Sequence, residues 1–312
     1  MLRAIFARHA CSSRHATPED PVSKQYPDLT EEGIRQAWGL GKFLVDSLLD
    51  ADRGTVFDKP GTVFLVAATS DQPRTKQTAL VFAEAIEREG WSGEVFIDAR
   101  HYDGSQDGGL CPIEELIHRA NIGPSDRVVL AYPVYVAQFG YGWNDRWTRW
   151  DPASGKQVKT EYFSELLNEF NQNHAQALHS WLKQNGRLTL DDGTELQGPC
   201  PVDVAKDYLN GLIRTHAGIS SLFPGRELVV VAVGHQWDLD ALATLLATGG
   251  VSYNSWGDIV GRAGVSPEEM VIGECELLTN ITYDPETGKS TVTYRGRDFS
   301  ATIPETFPAT RL

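Results

Sequence analysis

The sequence predicts an α/β protein, a three-layer α/β/α arrangement around a mainly parallel sheet. Two patterns point there. Short, almost continuously apolar runs of strand length recur along the chain, and between them lie stretches whose apolar residues repeat at helical spacing. The chain has 312 residues, of which 41% are apolar and 22% charged. Those proportions are ordinary for a globular protein and exclude wholesale disorder. The length suffices for a sizeable core, and one domain over 1–312 is expected.

Residues 2–7 (Leu-Arg-Ala-Ile-Phe-Ala) read as the first strand. A helix is expected over 29–49, where Thr30 can cap the start and Glu31 and Glu32 suit the positive end of the helix dipole. Its apolar stripe is Ile34, Ala37, Trp38, Gly41, Val45 and Leu48. Residues 62–68 are apolar almost throughout, as in a strand buried on both faces. A second amphipathic helix comes next, with Ala79, Phe82, Ala83 and Ile86 on one side. Val95–Ile97 and Val128–Leu130 are short strand candidates. Val229–Val233 is a buried strand, succeeded by a helix over 239–246. Residues 277–284 and 290–295 flank Asp284-Pro285-Glu286-Thr287-Gly288 and read as a C-terminal β-hairpin.

One stretch, about 132–198, fits this rhythm poorly and reads as an insertion over the sheet. It opens with an aromatic-rich segment. Next comes a long amphipathic helix, carrying Tyr162, Phe163, Leu166, Leu167, Phe170, Leu178, Trp181 and Leu182, and then a hairpin pivoting on Asp191-Asp192-Gly193.

The balance of 28 basic and 42 acidic residues gives a net charge of −14, with a pI near 5.0. Nucleic-acid and anionic-membrane partners call for a basic footprint, so neither is expected. No apolar run approaches the ~18–20 residues of a membrane span. Cys11, Cys111, Cys200 and Cys275 are scattered, with neither metal-site spacing nor the density of a disulfide scaffold. A cytoplasmic protein without a metal or other cofactor is expected.

Chemistry gathers where the strands end. The first strand ends in Arg8-His9, the strand at 62–68 runs into Ser70-Asp71-Gln72-Pro73-Arg74, and the strand at 228–233 into Gly234-His235. Ligands of open α/β sheets bind beyond the carboxyl ends of the strands. Two Arg and two His at such positions, in so acidic a chain, describe a local cationic pocket for a compact anion. Each motif alone is ordinary loop chemistry; their joint occurrence is the signal.

These residues carry a resemblance. Arg8-His9-Ala10 resembles the Arg-His-Gly signature of the histidine phosphatase superfamily, the phosphoglycerate-mutase-like proteins. Leu29-Thr30-Glu31-Glu32-Gly33-Ile34-Arg35-Gln36-Ala37 is similar to that family's Leu-Thr-x-x-Gly-x-x-Gln-Ala helix start. The stretch Ser70–Ala79 resembles its second arginine motif, and Gly234-His235 its second histidine. The likeness covers about residues 1–110 and 200–295. It implies a phosphoglycerate mutase-like fold and a small-molecule phosphomonoester substrate. His9 would attack phosphorus through one ring nitrogen while the other donates to a backbone carbonyl. Arg8, Arg74 and His235 would surround the phosphoryl oxygens, with no metal.

The resemblance also implies a carboxylic acid after the third strand, which points to Asp103, with Asp98 as runner-up; Glu114 and Glu115 read as helix-opening residues. The family's Gly is Ala10 here, its Glu or Gln is Cys11, and its Asn is His15. Ser12 stays as a phosphate donor, and His15 is a second candidate for phosphate contact. These departures weaken the case for a glycolytic mutase. Phosphoglycerate mutase-type transfer and a phosphate-binding module without turnover stand as alternatives to a phosphomonoesterase.

In the insertion, Tyr132, Tyr135, Phe139, Tyr141, Trp143, Trp147 and Trp150 cluster with Arg146 and Arg149. Either the rings build the insertion's own core, or Arg146, Trp147 and Arg149 belong to a lid that recognises the organic part of a substrate.

Overall fold

The computed structural model describes residues 2–15, 19, 21–44, 46, 61–70, 72–89, 94–97, 128–131 and 146–304, with backbone alone for His15, 94–97 and 128–131. In chain order, β1 (Leu2–Arg8), α1 (Glu31–Phe43), β2 (Val63–Ala68), α2 (Pro73–Arg88), β3 (Glu94–Ile97) and β4 (Val128–Ala131) come first. The hairpin β5 (Thr148–Asp151) and β6 (Lys156–Lys159) leads into α3 (Glu161–Gln172) and α4 (His174–Gln184), then the hairpin β7 (Arg187–Thr189) and β8 (Glu195–Gln197). After these come α5 (Pro201–Leu222), β9 (Leu228–Gly234), α6 (Gln236–Thr248), α7 (Tyr253–Ala263) and α8 (Pro267–Met270). The chain closes on β10 (Leu277–Tyr283), β11 (Lys289–Tyr294) and β12 (Arg297–Thr302).

Eight strands form the central sheet in the order β12-β11-β10-β1-β9-β2-β4-β3. The five from β1 to β3 run parallel, and β10, β11 and β12 add an antiparallel meander on one edge. The mainly parallel sheet is therefore the one the sequence predicts, extended by a strand, β12, that the expected hairpin did not include.

Strand alternation builds the layers. Ile5, Ala7, Phe64, Val66, Val229, Val231 and Val233 pack under α1 and α2 in one core. Their sequence neighbours Ala4, Phe6, Leu65, Ala67, Val230 and Ala232 point the other way, into a larger core shared with α5, α6 and the insertion helices. Both faces of β1, β2 and β9 are buried, which is why those stretches read as continuous apolar runs.

Two expectations are corrected. The single long helix of the insertion is two, α3 and α4, broken at Asn173, whose extended backbone (φ −156°, ψ 113°) lets its side chain accept from Gln176 N–H and cap α4. The 22-residue α5 has no counterpart in the expected elements, although Pro201 opens it and Val204, Ala205, Tyr208, Leu209 and Leu212 form its buried stripe. The first helix starts after Thr30, whose side chain accepts from Gly33 N–H as expected. Among the described residues, no helix is long and apolar enough to cross a membrane.

Candidate active site

Strand register sets the site. Arg8 pairs with Gly234 across β1 and β9, and Ala68 pairs with Val233 across β2 and β9. His9 N–H donates to Gly234 O at 3.0 Å and Thr69 N–H to Val233 O at 2.8 Å. The residues after these three strands thus leave the sheet at one edge, side by side. Gly234 keeps this crossing open: a Cβ would lie 3.0 Å from Thr69 Oγ1 and 3.3 Å from Tyr208 Oη, a tight contact to which those side chains would have to yield.

His9, Arg74 and His235 meet beyond that edge. His9 Nδ1 lies 2.8 Å from Ala10 O. A carbonyl can only accept, so Nδ1 carries the proton and Nε2 of the neutral ring carries the lone pair. Arg74 Nε donates to that Nε2 at 3.2 Å, and Arg74 Nη2 lies 3.2 Å from His235 Nδ1. His235 Nε2 in turn sits 2.8 Å from Ser70 Oγ. The two imidazoles stand edge to face with centroids 5.4 Å apart. Burial pushes the pKa of His235 well below the usual imidazole range, and Arg74 and His9 push in the same direction.

Arg8 is buried, and its Nη1 donates to Ile272 O at 3.0 Å. The N–H of the same Ile272 donates to Asp240 Oδ1 at 3.1 Å. Burial raises the pKa of the Asp240 carboxyl to about 8. Burial draws the Arg8 pKa down, opposed by Glu274 and Asp240. Two guanidinium charges beside neutral imidazoles match a phosphomonoester, which carries close to two negative charges at pH 7.

Arg8, His9, Arg74 and His235 line one small cavity of about 100 Å³. Its other wall is apolar: Phe163, Leu167 and Phe170, at helical spacing on α3, and Trp237 on α6. Gln236 also lines it. This amide was not anticipated; it is buried, and neither its Nε2 nor its Oε1 has a hydrogen-bond partner among the described residues. The signal available was its position, directly after the strand-end Gly-His. The α6 N-terminus opens at His235 without a side-chain cap, so its first-turn N–H groups favour an anion there.

The remaining motif residues hold the loop that follows His9. Thr30 N–H donates to Cys11 O at 3.1 Å, and Cys11 N–H donates to Gln36 Oε1 at 2.9 Å. Gly33 packs directly against Cys11 O, where any Cβ would overlap it. From α2, Thr78 Oγ1 accepts Ala10 N–H at 3.1 Å and donates to Arg74 O at 2.7 Å. Gln77 Oε1 accepts Asp28 N–H at 2.9 Å. The helix motifs therefore act as braces for the loop that presents His9.

Other expected site residues fall elsewhere. Ser12 is fully buried with its Oγ unpartnered among the described residues, but it does not line the cavity. His15 lies in a short 3-10 turn, Ser13–His15, of which its backbone alone is described. Asp103, Asp98, Glu114 and Glu115, and the rings from Tyr132 to Trp143, lie outside the described residues.

The lid residues separate. Trp147 is fully buried, packed at tilted ring angles among Phe163, Trp181 and Trp237 at centroid distances of 5.1–5.6 Å. It is core, behind the apolar wall rather than on it, because its ring fills the space between α3, α4 and α6. Arg146 is ion-paired with Asp207 of α5, and Arg149 faces away on the exposed side of β5. The insertion does reach the site, through α3. Among the described residues, no three His, Cys, Asp or Glu side chains group as a metal site requires.

No family model matches the chain, and no curated protein matches it in sequence. Among solved structures it is similar to a mycobacterial glucosyl-3-phosphoglycerate phosphatase complexed with VO3. That match has 13% identity and a TM-score of 0.40, and covers 91% of this chain and 92% of the other. It is also similar to a protein from Escherichia coli K-12 assigned as an alpha-ribazole-5'-P phosphatase, with 13% identity and a TM-score of 0.29, over 97% and 95% of the two chains. At this level of likeness no residue role passes from either protein to this chain.

Proposed function

We propose that the chain is a phosphomonoester hydrolase of the histidine phosphatase type, with His9 as nucleophile. One observation carries the reading: a single guanidinium, Arg74, contacts both His9 Nε2 and His235 Nδ1 while Ala10 O fixes the His9 tautomer. A phosphoryl group arriving there exchanges those contacts for contacts to its own oxygens and faces the His9 lone pair.

In the first step His9 Nε2 forms a bond to phosphorus as the bond from phosphorus to the alcohol oxygen breaks. The leaving alkoxide takes a proton from a carboxylic acid, a role proposed for Asp103. Arg8, Arg74, His235 and Gln236 hold the equatorial oxygens as their charge redistributes. Arg suits this better than Lys because its planar fork engages two oxygens at once. Water then attacks phosphorus, the same carboxylate accepts its proton, and the N–P bond breaks to release orthophosphate and neutral His9. The apolar wall of Phe163, Leu167, Phe170 and Trp237 lowers the local dielectric, which strengthens every charged contact in the pocket.

A phosphate-release screen over many phosphomonoesters, with chelator present, tests the reading. Wild-type chain should release phosphate from at least one class, and His9→Ala should release none. Retained activity in His9→Ala, or activity abolished by chelator, would overturn it. Isomerised substrate in place of free phosphate would assign the site to mutase-type transfer.

A further inference from the structure

Arg8 is gripped by the turn 271–276, which links α8 to β10. Its own N–H donates to Glu276 O at 3.2 Å, and Cys275 N–H donates to Arg8 O at 3.2 Å. Its side chain is tied to the same turn, where Nη1 donates to Ile272 O at 3.0 Å. The shape of this turn therefore decides where the guanidinium points.

Two sets of side chains hold the turn. On its partly exposed side, Gly273 N–H donates to Glu276 Oε2 at 2.6 Å, Arg295 Nη2 donates to Val271 O at 2.8 Å, and Arg295 Nη1 pairs with Glu276 Oε1 at 2.7 Å. On its buried side the holder is Asp240 of α6. Asp240 Oδ1 accepts Ile272 N–H at 3.1 Å and lies 3.2 Å from Tyr294 Oη, which also donates to Met270 O. Asp240, Ile272 and Tyr294 are all buried. A carboxyl is costly to bury there, between Leu239 and Ala241 on a helix whose residues from Gln236 to Ala247 are all buried. The described hydrogen bonds of that carboxyl go to Ile272 and to the tyrosine that holds Met270.

We propose that Asp240 is a positioning residue for the phosphate pocket: through Ile272 it fixes the carbonyl that anchors Arg8 Nη1, and so aims the Nε–Nη2 edge of that guanidinium at the phosphoryl group. The proposal rests on the phosphohydrolase reading. Nη1 lies on the side of the guanidinium away from Nε–H, so a bond made there leaves the Nε–Nη2 fork intact for two oxygens. Nε is buried without a hydrogen-bond partner among the described residues, and Arg8 lines the phosphate cavity. Without the anchor the long side chain turns about its own bonds, and the fork loses its alignment. The role calls for an acceptor at Oδ1 rather than a charge, so Asn can fill it and Leu cannot.

The test is the affinity of the full chain for orthophosphate, read by phosphorus NMR titration, which needs no turnover. Asp240→Leu should weaken binding about tenfold, whereas Asp240→Asn should stay within about twofold of wild type. Arg8→Met should also weaken binding, and adding Asp240→Leu to it should cost no more than about twofold further, because residues that act through one network are not additive. A carboxyl that merely supports the fold would give losses that multiply. Tyr294→Phe keeps the carboxyl and serves if Asp240→Leu does not fold; its loss should be about threefold and should likewise vanish in Arg8→Met. Losses that multiply, or Asp240→Asn as weak as Asp240→Leu, would overturn the proposal while leaving any phosphate release, and with it the hydrolase reading, in place. Non-additive losses in a chain that hydrolyses no phosphomonoester would keep the positioning role and end the hydrolase reading. A wild-type chain that binds no orthophosphate would overturn both.

Discussion

Replacing Gly33 with alanine should damage the site without touching a reacting group. At a solvent-facing helix position the change stabilises by about 0.8–1 kcal/mol, because alanine loses less backbone entropy on entering a helix. At Gly33 the added methyl overlaps the Cys11 carbonyl oxygen and lies 3.1 Å from its carbonyl carbon. Those are backbone atoms, which cannot rotate aside. Relief moves the Cys11 peptide off α1 and breaks its bonds to Thr30 N–H, at 3.1 Å, and Gln36 Oε1, at 2.9 Å. Two hydrogen bonds at about 1 kcal/mol each and an overpacking cost of about 1–3 kcal/mol outweigh the helical gain. The net loss is about 2–4 kcal/mol. Cys11 lies two residues beyond His9, so the imidazole moves too, and kcat/KM should fall by about tenfold to a hundredfold. Urea unfolding and turnover of p-nitrophenyl phosphate read the two effects. Gly39→Ala is the control: it lies in the same helix, exposed, with nothing within 4 Å of the added Cβ. Gly33→Ala as stable and as active as Gly39→Ala would refute the bracing role of α1.

The buried His235 makes stability pH-dependent. Its folded pKa lies below the unfolded value, so the unfolded chain binds a proton that the folded chain refuses, and stability should fall as pH drops from about 6.5 to 5. A bound phosphate dianion opposes that field, so calorimetry at pH 6 in buffers of different ionisation enthalpy should show proton uptake when orthophosphate binds; no uptake would count against the assigned field. Gln236→Leu removes two buried unsatisfied amide atoms, so urea unfolding should show equal or higher stability while orthophosphate inhibition weakens about fivefold to tenfold. Unchanged inhibition would remove Gln236 from the phosphate contacts. Trp147→Ala should cost about 3–5 kcal/mol and lower turnover of every substrate by a similar factor; a change confined to substrate preference would return Trp147 to the lid.

The convergence of the strand-end residues was legible because β1, β2 and β9 are buried on both faces, which marks them by apolar runs, and because a parallel sheet brings the residues after each strand to the same edge. The helix start at Thr30 was legible through its cap. The reason for Gly33 and Gln36 was not, since it lies in the approach of α1 to Cys11, residues distant in sequence. The insertion misled for a different reason. Apolar spacing passes almost unbroken from Phe170 to Leu178, and the break at Asn173 is a capping event rather than a loss of apolar residues. Trp147 and Arg149 lie two residues apart, yet one is core and the other exposed. Composition cannot separate such neighbours, because only tertiary packing decides which face is covered. Gln236 escaped notice because an amide becomes informative only when burial removes its alternatives.

The most direct test is rapid acid-free quenching of turnover, followed by mapping of any phosphorylated residue. The account predicts a transient phosphoryl adduct on His9 Nε2, formed and lost at rates compatible with kcat and absent from His9→Ala. An adduct on another side chain, or steady turnover with no adduct at any time point, would contradict it.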